Sequence, residues 1–462
     1  MSKPPFPLPC LTYEQALAFW YGRINYEQRS PQPGDLKLDR MRALLELLGN
    51  PHHDAPIVHV AGSKGKGSTA AMLAAIVRRA GLRTGLFTSP HLSQVEERIQ
   101  IDDQPITPDE LAVLMTEVKA AVEILDARLE PAEAGPTFFE IVTALGFLSF
   151  ARQRVDLAVL EVGLGGRFDS TNVCHPLVAV ITSISHDHTH LLGERLAQIA
   201  YEKAGIIKAG RPVVSGATVA EARQVIEEVS RERGAPLWQL GRDVHYEYRP
   251  GLVTSEQERH ACVRIRAGHH DWPWMELGLL GEHQAANAAL AVAVVEHLRA
   301  ERIDIPDQAV RDGLAQVRWP ARMEVVSRRP LVVLDCAHNV ASVQALVETL
   351  RQSFPGGRRL LILAVSNDKD ITGMLRVLAP SFDHAYLTRY LNNPRCLPPE
   401  QMVERLRADA ALPCTVCPMP ADAWHAARAA AAPDDLICVT GSVFLAGEMR
   451  QLLLGEQCGG IV

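Results

Sequence analysis

Short apolar runs alternate with amphipathic stretches along most of this chain. Apolar runs bounded by glycine, proline or polar residues predict β-strands, and apolar positions three or four residues apart predict helices. In the first part, strands are predicted at 57–61, 84–88, 157–162, 178–183 and 212–215. Helices are predicted at 68–80, 109–129, 138–153, 196–204, 220–233 and 284–299. This alternation predicts an α/β fold with mostly parallel sheets.

Two segments of the second part depart from this alternation. Residues 244–277 alternate between apolar and polar positions, which predicts a small antiparallel patch. Residues 317–322 carry a proline between patterned stretches, and we interpret them as a hinge. Strand patterns then return at 331–334, 359–364, 385–387, 414–416 and 436–440. We therefore predict a domain over 1–318, with a mostly parallel sheet and the antiparallel patch, and a Rossmann-like α/β domain over 319–462.

Composition narrows the class of protein. The chain has 462 residues, 47% of them hydrophobic and 22% charged, which is typical of a globular protein with two or three domains. A net charge of −7 without a long basic block argues against nucleic acid as a partner. The proline-rich residues 1–10 lack a signal-peptide pattern, and no apolar run is long enough to span a bilayer. Nine scattered cysteines favour reduced thiols, so we expect a cytoplasmic protein.

A glycine-rich turn lies between the first predicted strand and its helix: Gly62-Ser63-Lys64-Gly65-Lys66-Gly67-Ser68-Thr69. Glycines let backbone N–H groups face phosphates, and the start of the following helix adds its positive dipole end. Lys66 can reach the terminal phosphates, and Ser68 or Thr69 can meet a metal ion. The standard P-loop pattern is only partly matched, because Gly67 separates Lys66 from Ser68. A glycine turn without a ligand is the alternative, but the order of strand, loop and helix favours a P-loop-type ATPase domain.

Oxygen-bearing side chains follow two other predicted strands. Ser89 follows the strand at 84–88 and could bind Mg²⁺, although Ser-Pro alone is more often a plain turn. Glu161 lies near the end of an apolar run, where a carboxylate is costly unless it meets a cation. A glutamate that faces solvent is the alternative. Ligands gather at the carboxyl ends of parallel strands, so both positions are candidates for a metal site.

The sequence also contains closely spaced histidines and cysteines, which are the residue types that bind zinc. His186, His188 and His190 alternate in a segment that we take as extended, and we do not expect them to converge on a metal ion by themselves. Cys414 and Cys417 are better explained as two half-buried thiols, since no second ligand pair follows at a suitable spacing. We therefore do not predict zinc.

Seven motifs, in order along essentially the full chain, resemble those of the folylpolyglutamate synthase/dihydrofolate synthase branch of the Mur ligase superfamily. The glycine loop resembles Gly-Thr-Asn-Gly-Lys-Gly-Ser, with Ser63 and Lys64 in place of threonine and asparagine. The others are Ser-Pro-His-Leu at 89–92, Glu-Val-Gly-Leu-Gly-Gly-Arg at 161–167, Asp-His-Thr at 187–189, Glu-Lys-Ala-Gly-Ile at 202–206, Pro-Ala-Arg at 320–322 and Asp-Cys-Ala-His-Asn at 335–339. Ala321 and Cys336 stand where the family usually has glycine.

The resemblance implies a set of residues for ATP and metal. Nucleotide binding is implied for Gly62, Gly65, Lys66, Gly67, Ser68, Asn287, Arg322 and Asp335. Mg²⁺ is implied to be held by Ser89, Glu161 and His188, which leaves His186 and His190 without a role. Lys203 matches a lysine that CO₂ carbamylates in the family, and this chemistry requires a depressed pKa, which burial could supply.

The resemblance also implies the reaction. An ATP-dependent amide ligase would add L-glutamate to folates, and to dihydropteroate, through an acyl phosphate. Lys66, Lys203 and His338 would be the catalytic residues. The pterin would contact Thr137 and Phe139, and glutamate would contact His338 and Ser442. The acceptor would be bound between the domains. We expect a monomer whose partners are ATP, glutamate and folate or dihydropteroate, without nucleic acid or membrane.

Two other functions remain as alternatives. A Mur enzyme acting on another carboxylate acceptor, such as a cell-wall precursor, would be expected to carry a sugar-nucleotide domain before the P-loop, and only a short segment precedes Gly62. A P-loop phosphotransferase or NTPase switch would not need a C-terminal domain that contributes Arg322 and Asp335. Phosphate release with and without glutamate and folate separates these functions.

Overall fold

The computed structural model describes residues 10–27, 34–130, 134–409 and 412–459. Most of the proline-rich segment 1–10, in which no signal peptide was predicted, lies outside this part. Two compact units are interleaved in sequence. The first unit comprises Met1–His245, Arg266–His270 and Asn287–Gly313, and the second comprises Tyr246–Ile265, Asp271–Ala286 and Leu314–Val462. The domain boundary between 318 and 319 stays a prediction.

Eight strands form the sheet of the first unit. They are β1 (Ile57–Ala61), β2 (Thr84–Phe87), β3 (Ile99–Ile101), β4 (Gln104–Pro105), β5 (Leu157–Glu161), β6 (Val178–Ile181), β7 (Val213–Ser215) and β8 (Leu237–Gln239). Their order is β4-β3-β2-β5-β1-β6-β7-β8. The strands are parallel except for β3 and β4, which form an antiparallel edge. All residues of β1 are buried, because this apolar run has a parallel neighbour on each side.

Helices precede and connect these strands. They are α1 (Tyr13–Tyr21), α2 (Leu38–Leu47), α3 (Lys66–Arg79), α4 (Pro108–Asp126), α5 (Phe138–Gln153), α6 (Thr189–Leu192), α7 (Leu196–Ala204) and α8 (Ala220–Glu232). Three of them begin with a capping box built on threonine, in which the threonine before the helix accepts a hydrogen bond from the third helical residue. These threonines are Thr12, Thr107 and Thr137. The cap at Thr137 fixes where α5 begins, and this start carries two of the predicted substrate contacts.

The antiparallel patch predicted over 244–277 is present. It contains β9 (Val244–Arg249), β10 (Leu252–Val253), β11 (Glu258–Arg259), β12 (Ala261–Ala267), β13 (His270–Asp271) and β14 (Met275–Leu277). Strands β13, β12 and β14 lie side by side with β9 also paired to β12, and β10 pairs with β11. Helices α9 (Glu282–Ala300) and α10 (Asp307–Gln316) follow in the chain.

The second unit contains a six-stranded sheet. Its strands are β15 (Glu324–Arg328), β16 (Leu331–Leu334), β17 (Arg359–Leu363), β18 (His384–Leu387), β19 (Cys414–Val416) and β20 (Leu436–Thr440). The order is β15-β16-β20-β17-β18-β19, and only β15 is antiparallel. Its helices are α11 (Val340–Ser353), α12 (Ile371–Leu378), α13 (Pro399–Asp409), α14 (Pro420–Ala430) and α15 (Val443–Gly459). The α/β fold class is confirmed, with a mixed C-terminal sheet because of β15.

Two further features of the described residues are the character of the helices and the state of the cysteines. Within the described ranges, none of the helices combines the length and the apolar character that crossing a bilayer requires. The eight cysteines whose side chains are described are free thiols, including Cys414 and Cys417. Cys414 is half-buried and Cys417 is buried, close to the arrangement expected from the sequence.

Candidate functional site

Strand β1 leads into the glycine loop, and α3 begins at Lys66. Gly65 precedes the helix in the left-handed conformation, with a φ of 85°. A side chain at Gly62 would come within 1.8 Å of Thr182 Oγ1, and one at Gly65 within 2.3 Å of Asn287 Oδ1. Both positions therefore need glycine because a neighbour approaches the backbone. Asn287, one of the predicted nucleotide contacts, lies against the loop.

The glycine loop is hydrogen-bonded to the segment that follows β6. The Ser63 N–H donates to the Ser183 carbonyl at 2.7 Å, and Thr182 Oγ1 donates to the Lys64 carbonyl at 2.6 Å. Lys64 Nζ forms an ion pair with Asp187 Oδ2 at 2.8 Å. Sequence reasoning missed this connection. The signal available was that Lys64 adds a charge where the family has asparagine.

Lys203 presents a buried amine to the same loop. It lies on α7 with 4% of its surface exposed, and its Nζ donates to the Gly62 carbonyl at 2.9 Å. Burial lowers the pKa of Lys203 to about 7; the charge of Lys66 lowers it further, and Asp187 opposes the change. A lysine with this pKa is substantially neutral at pH 7, whereas an exposed lysine is almost fully charged. Burial of the amine thus lowers its pKa in the direction that carbamylation would require.

Two of the predicted metal ligands lie together. Glu161 ends β5 and is 6% exposed. Its Oε2 accepts a hydrogen bond from the Ser89 backbone N–H at 3.2 Å. The contact arises because β2 and β5 are parallel neighbours, so the residues that follow them meet at one edge of the sheet. Glu161 therefore does not face solvent, which was the alternative open from sequence.

His188 is placed by a local change of backbone. It has a φ of 50° and immediately precedes α6, so the histidine segment is not extended throughout, contrary to our expectation. The residues from 189 onward turn into a helix. His188 Nε2 lies 3.9 Å from Asp187 Oδ1. His186 is exposed, and the side chain of His190 lies outside the described part.

The residue types at this edge fit Mg²⁺. This ion keeps several waters and is usually held by one or two carboxylates together with substrate phosphates. Glu161 and Ser89 offer such oxygens, and Thr69 Oγ1 in the first turn of α3 is buried with no hydrogen-bond partner among the described residues. Over the same residues, no group of three or more His, Cys, Asp or Glu side chains is arranged to hold a metal by itself. The donor set suits an ion that is completed by nucleotide and water.

Thr137 and Phe139, the predicted pterin contacts, lie at the start of α5. Thr137 is 3% exposed, and its Oγ1 accepts from the Glu140 N–H at 3.3 Å. Phe139 is partly buried and meets Phe87 edge-on, with ring centroids 6.2 Å apart. A side chain at Gly163 would come within 2.4 Å of the Phe139 ring. Phe139 therefore packs on the glycine-rich segment that follows Glu161.

Its neighbour Phe138 belongs to the core instead. It is 1% exposed and stacks on Trp20 with ring centroids 4.6 Å apart. Core packing, the simpler explanation for the two phenylalanines, therefore holds for Phe138.

A buried arginine beside this region was missed from sequence. Arg98 is 0% exposed, and its two terminal nitrogens donate to the two carboxylate oxygens of Glu27, each at 2.7 Å. Its Nε donates to His91 Nδ1 at 2.9 Å. Burial lowers the pKa of His91 to about 4, which keeps the ring neutral and able to accept this bond. Arg98 also lies over the Phe138 ring, 5.3 Å from its centroid.

In the second unit, Asp335 and Arg322 lie close together. Asp335 follows β16 and is 8% exposed. Its Oδ1 accepts from the Ala337 N–H at 2.8 Å and its Oδ2 from the Met323 N–H at 3.1 Å. Burial raises the pKa of Asp335, and the nearby charge of Arg322 opposes this rise. Two predicted nucleotide contacts are thus brought together from opposite ends of a β-hairpin.

The loop after β16 is joined to the turn after β20. The Ala337 carbonyl accepts from the Gly441 N–H at 2.9 Å and from Thr440 Oγ1 at 3.3 Å. His338 follows directly, and its Nδ1 donates to the Cys336 carbonyl at 2.8 Å, which fixes the ring. Ser442, 3% exposed, follows Gly441. The two predicted glutamate contacts, His338 and Ser442, therefore lie at the same edge of the sheet.

Two family models match the chain. The Mur ligase middle domain matches residues 60–295, and the Mur ligase glutamate ligase domain matches residues 321–443. A dihydrofolate synthase/folylpolyglutamate synthase of Bacillus subtilis is 35% identical over 443 residues, which cover 96% of this chain and 99% of that protein. The Escherichia coli protein of the same name is 31% identical, over 96% of this chain and 97% of its own length.

Solved structures agree with these matches. A Mycobacterium tuberculosis folylpolyglutamate synthase complexed with ADP and AMPPCP superposes with a TM-score of 0.86 at 34% identity, over 96% of this chain and 98% of its own. E. coli FolC in complex with DHPP and ADP gives a TM-score of 0.82 at 31% identity, over 97% of this chain and 100% of its own. Both relatives bind adenine nucleotides.

Proposed function

This chain belongs to the folylpolyglutamate synthase/dihydrofolate synthase family of Mur ligases, and we propose that it uses Mg²⁺ and ATP to join L-glutamate to folates and to dihydropteroate through an acyl phosphate. It is an ATP-dependent acid–amino-acid ligase that adds glutamate to folates. The Mg²⁺ requirement, the use of dihydropteroate and the role of each residue are the proposed parts.

One observation carries the nucleotide part of this proposal. The glycine loop closes onto the start of α3 with Lys66 as the first helical residue. Backbone N–H groups at a helix start bind phosphate well, because they are unpaired within the helix and add to its positive dipole end. The loop is also fixed by its bonds to the segment after β6, so little ordering remains to be done when ATP binds.

The residues of the first unit would act on the phosphates. Gly62, Gly65, Gly67 and Ser68 would surround them with backbone and hydroxyl donors, and Lys66 would offset charge on the moving phosphoryl group. Ser89, Glu161 and His188 would hold Mg²⁺, which supplies positive charge to the phosphates when bound. Asn287 would contact the adenosine part of ATP, since it lies against Gly65.

Lys203 would act as a carbamate. CO₂ adds to a neutral amine, and the Nζ of Lys203 would lose a proton as it becomes a carbamate with one negative charge. This change would replace a poorly solvated cation by an anion among Lys64 and Lys66, both of which lower the pKa of the amine.

The residues of the second unit would complete ATP binding and place glutamate. Arg322 would face the phosphates, and Asp335 would bind the ribose or γ-phosphate side. His338 and Ser442, at the same sheet edge, would hold glutamate so that its amine attacks the acyl phosphate. The C–N bond forms as the C–O bond to phosphate breaks, and the amine loses its proton.

Dihydropteroate is included because Thr137 and Phe139 stand at the pterin positions of the family. Both acceptors carry a carboxylate that ATP would phosphorylate in the same position. One site therefore serves both if it admits two poses of the acceptor. The E. coli relative was solved with DHPP and ADP.

Mass spectrometry of the products tests the function directly. Purified protein receives ATP, Mg²⁺ and L-glutamate with tetrahydrofolate, with dihydropteroate or without an acceptor. We expect glutamyl products with both acceptors. Products from tetrahydrofolate alone would limit the enzyme to polyglutamylation, and phosphate release that is independent of glutamate and acceptor would favour a P-loop NTPase.

The compartment and the oligomeric state of the enzyme are also part of the proposal. The described cysteines are free thiols, which suits a reducing compartment, and we expect a cytoplasmic enzyme. We also expect a monomer whose partners are small molecules and not nucleic acid. Light scattering coupled to size exclusion tests the monomer, because a dimer would elute with twice the mass of the chain.

A further inference from the structure

The turn that carries Arg322 has an unusual backbone. Ala321 has a φ of 52° and Met323 a φ of 50°, so both neighbours of Arg322 are in the left-handed region. Residues other than glycine rarely adopt this conformation, and it persists only where the surroundings hold it. Position 321 is the one where the family usually has glycine. This chain keeps the left-handed conformation at position 321 with alanine, although glycine adopts it most readily.

Two carboxylates hold this turn through its N–H groups. Glu324 Oε2 accepts from the Ala321 N–H at 2.8 Å. Asp335 Oδ2 accepts from the Met323 N–H at 3.1 Å. Each of the two left-handed residues is therefore bound to a carboxylate through its own backbone. Asp335 already has a proposed role in nucleotide binding, whereas Glu324 has none.

Glu324 is fixed in turn by an arginine of the C-terminal helix. Arg450 Nε lies 3.0 Å from both carboxylate oxygens of Glu324. The two side chains are only 28% and 22% exposed, so water screens the pair less than a surface ion pair. Arg450 lies on α15, the helix that begins directly after Ser442.

We propose that Glu324 and Arg450 are positioning residues for Arg322. The pair holds the turn in its left-handed form and thereby fixes where the Arg322 guanidinium meets the nucleotide phosphates. The inference rests on the proposed function, because it takes Arg322 to be a phosphate contact. A pair with a purely structural role would change the unfolding temperature and leave the kinetics of the folded enzyme unchanged.

Kinetics of four variants test the proposal. Arg450→Ala should lower kcat about tenfold, less than the roughly hundredfold loss that a 1 Å displacement of a reacting group can cause. Glu324→Gln keeps an acceptor for the Ala321 N–H but loses the charge pair, so we expect a smaller loss. Arg450→Lys keeps the charge and should recover most of the activity. Gln451→Ala, an exposed change at the next position of α15, is the matched control and should behave as wild type.

A double variant separates positioning from damage to the helix. Glycine adopts the φ of position 321 without strain. Ala321→Gly should therefore make the turn less dependent on its partners, and the Ala321→Gly/Arg450→Ala enzyme should lose only about threefold in kcat relative to Ala321→Gly, a departure from additivity. Equal losses in the two backgrounds would overturn the proposal, as would an Arg450→Ala enzyme with a lower melting temperature but unchanged kcat and KM for ATP.

Arg322→Ala distinguishes failure of this inference from failure of the proposed function. If Arg322→Ala leaves kcat, KM for ATP and the calorimetric affinity for AMPPCP unchanged, the phosphate role of Arg322 is wrong and the inference fails with it. If Arg322→Ala is impaired while Arg450→Ala and Glu324→Gln are not, the phosphate role stands and only the positioning role is wrong.

Discussion

Replacing Lys203 by methionine should stabilise the folded protein while it abolishes the reaction. Burial and the charge of Lys66 lower the pKa of this amine to about 7. Between about pH 7 and its ordinary value of 10.5, the folded state therefore binds fewer protons than the unfolded chain. Stability rises with pH across this window. It is lowest below about pH 7, where folding requires a charged amine to be buried.

The magnitude follows from the size of this pKa change. A fall from 10.5 to about 7 corresponds to about 5 kcal/mol of destabilisation below pH 7. Methionine keeps the apolar stem but leaves the Gly62 carbonyl without the amine donor, at a cost of about 1–3 kcal/mol. We therefore expect Lys203→Met to be more stable than wild type by about 2–4 kcal/mol at about pH 6.5. The advantage should disappear by about pH 10, where the folded amine is neutral and the remaining penalty is smaller than the cost of the missing donor to Gly62.

Chemical denaturation in CO₂-free buffers between about pH 6.5 and 9.5 measures this difference. Peptide-resolved hydrogen exchange of α7 assigns it to the first unit, and Lys37→Met, at an exposed lysine, is the control. If the unfolding free energies of wild type and Lys203→Met change in parallel with pH, the prediction is wrong, since the amine would then keep its ordinary pKa. Repeating the series in bicarbonate tests carbamylation, because only the wild type carries an amine at this position.

Three further predictions concern the same unit. Lys66→Ala should lower turnover by about 10²-fold or more without lowering the melting temperature, because its charge acts on phosphate; more than a few per cent of residual activity would contradict the nucleotide assignment. Arg98→Met should cost about 3–5 kcal/mol of unfolding free energy, since it leaves Glu27 without its buried partner; calorimetry that shows a loss below about 1 kcal/mol would exclude this. A zinc-selective chelator in excess Mg²⁺ should leave activity unchanged, and its loss would overturn the metal assignment.

The central strands could be predicted because of what surrounds them. A strand buried on both faces is a continuous apolar run, and this is how β1, β16 and β20 were found with their bounds as observed. Strands β3, β4, β8 and β15 were missed. They lie at or next to a sheet edge, and they are short or only partly buried, so their residues lack such a run. Tertiary pairing, and not local pattern, makes them strands.

In the candidate site, the positions set by the parallel sheet could also be predicted, whereas the ion pairs could not. Parallel strands bring their carboxyl ends to one edge, so the positions after β1, β2 and β5 could be expected to lie together. The ion pairs could not be predicted, because each joins residues far apart in sequence. Lys64 with Asp187 and Glu324 with Arg450 depend on which loops the fold places side by side. A charged residue in the sequence shows that a partner is needed without showing which one.

At the glycine loop, the demands of folding and of phosphate binding oppose one another. Lys64 and Lys66 both lower the pKa of Lys203, which means that the three amines repel one another in the absence of nucleotide. Asp187 opposes this effect and pairs with Lys64, so the loop keeps an excess of positive charge. Such an excess is what a polyanionic substrate requires, and loss of the proton from Lys203 is the least costly way for the folded chain to reduce it. The depressed pKa of Lys203 is therefore a consequence of burial first and of the neighbouring lysines second, and the same depression would favour reaction of the amine with CO₂.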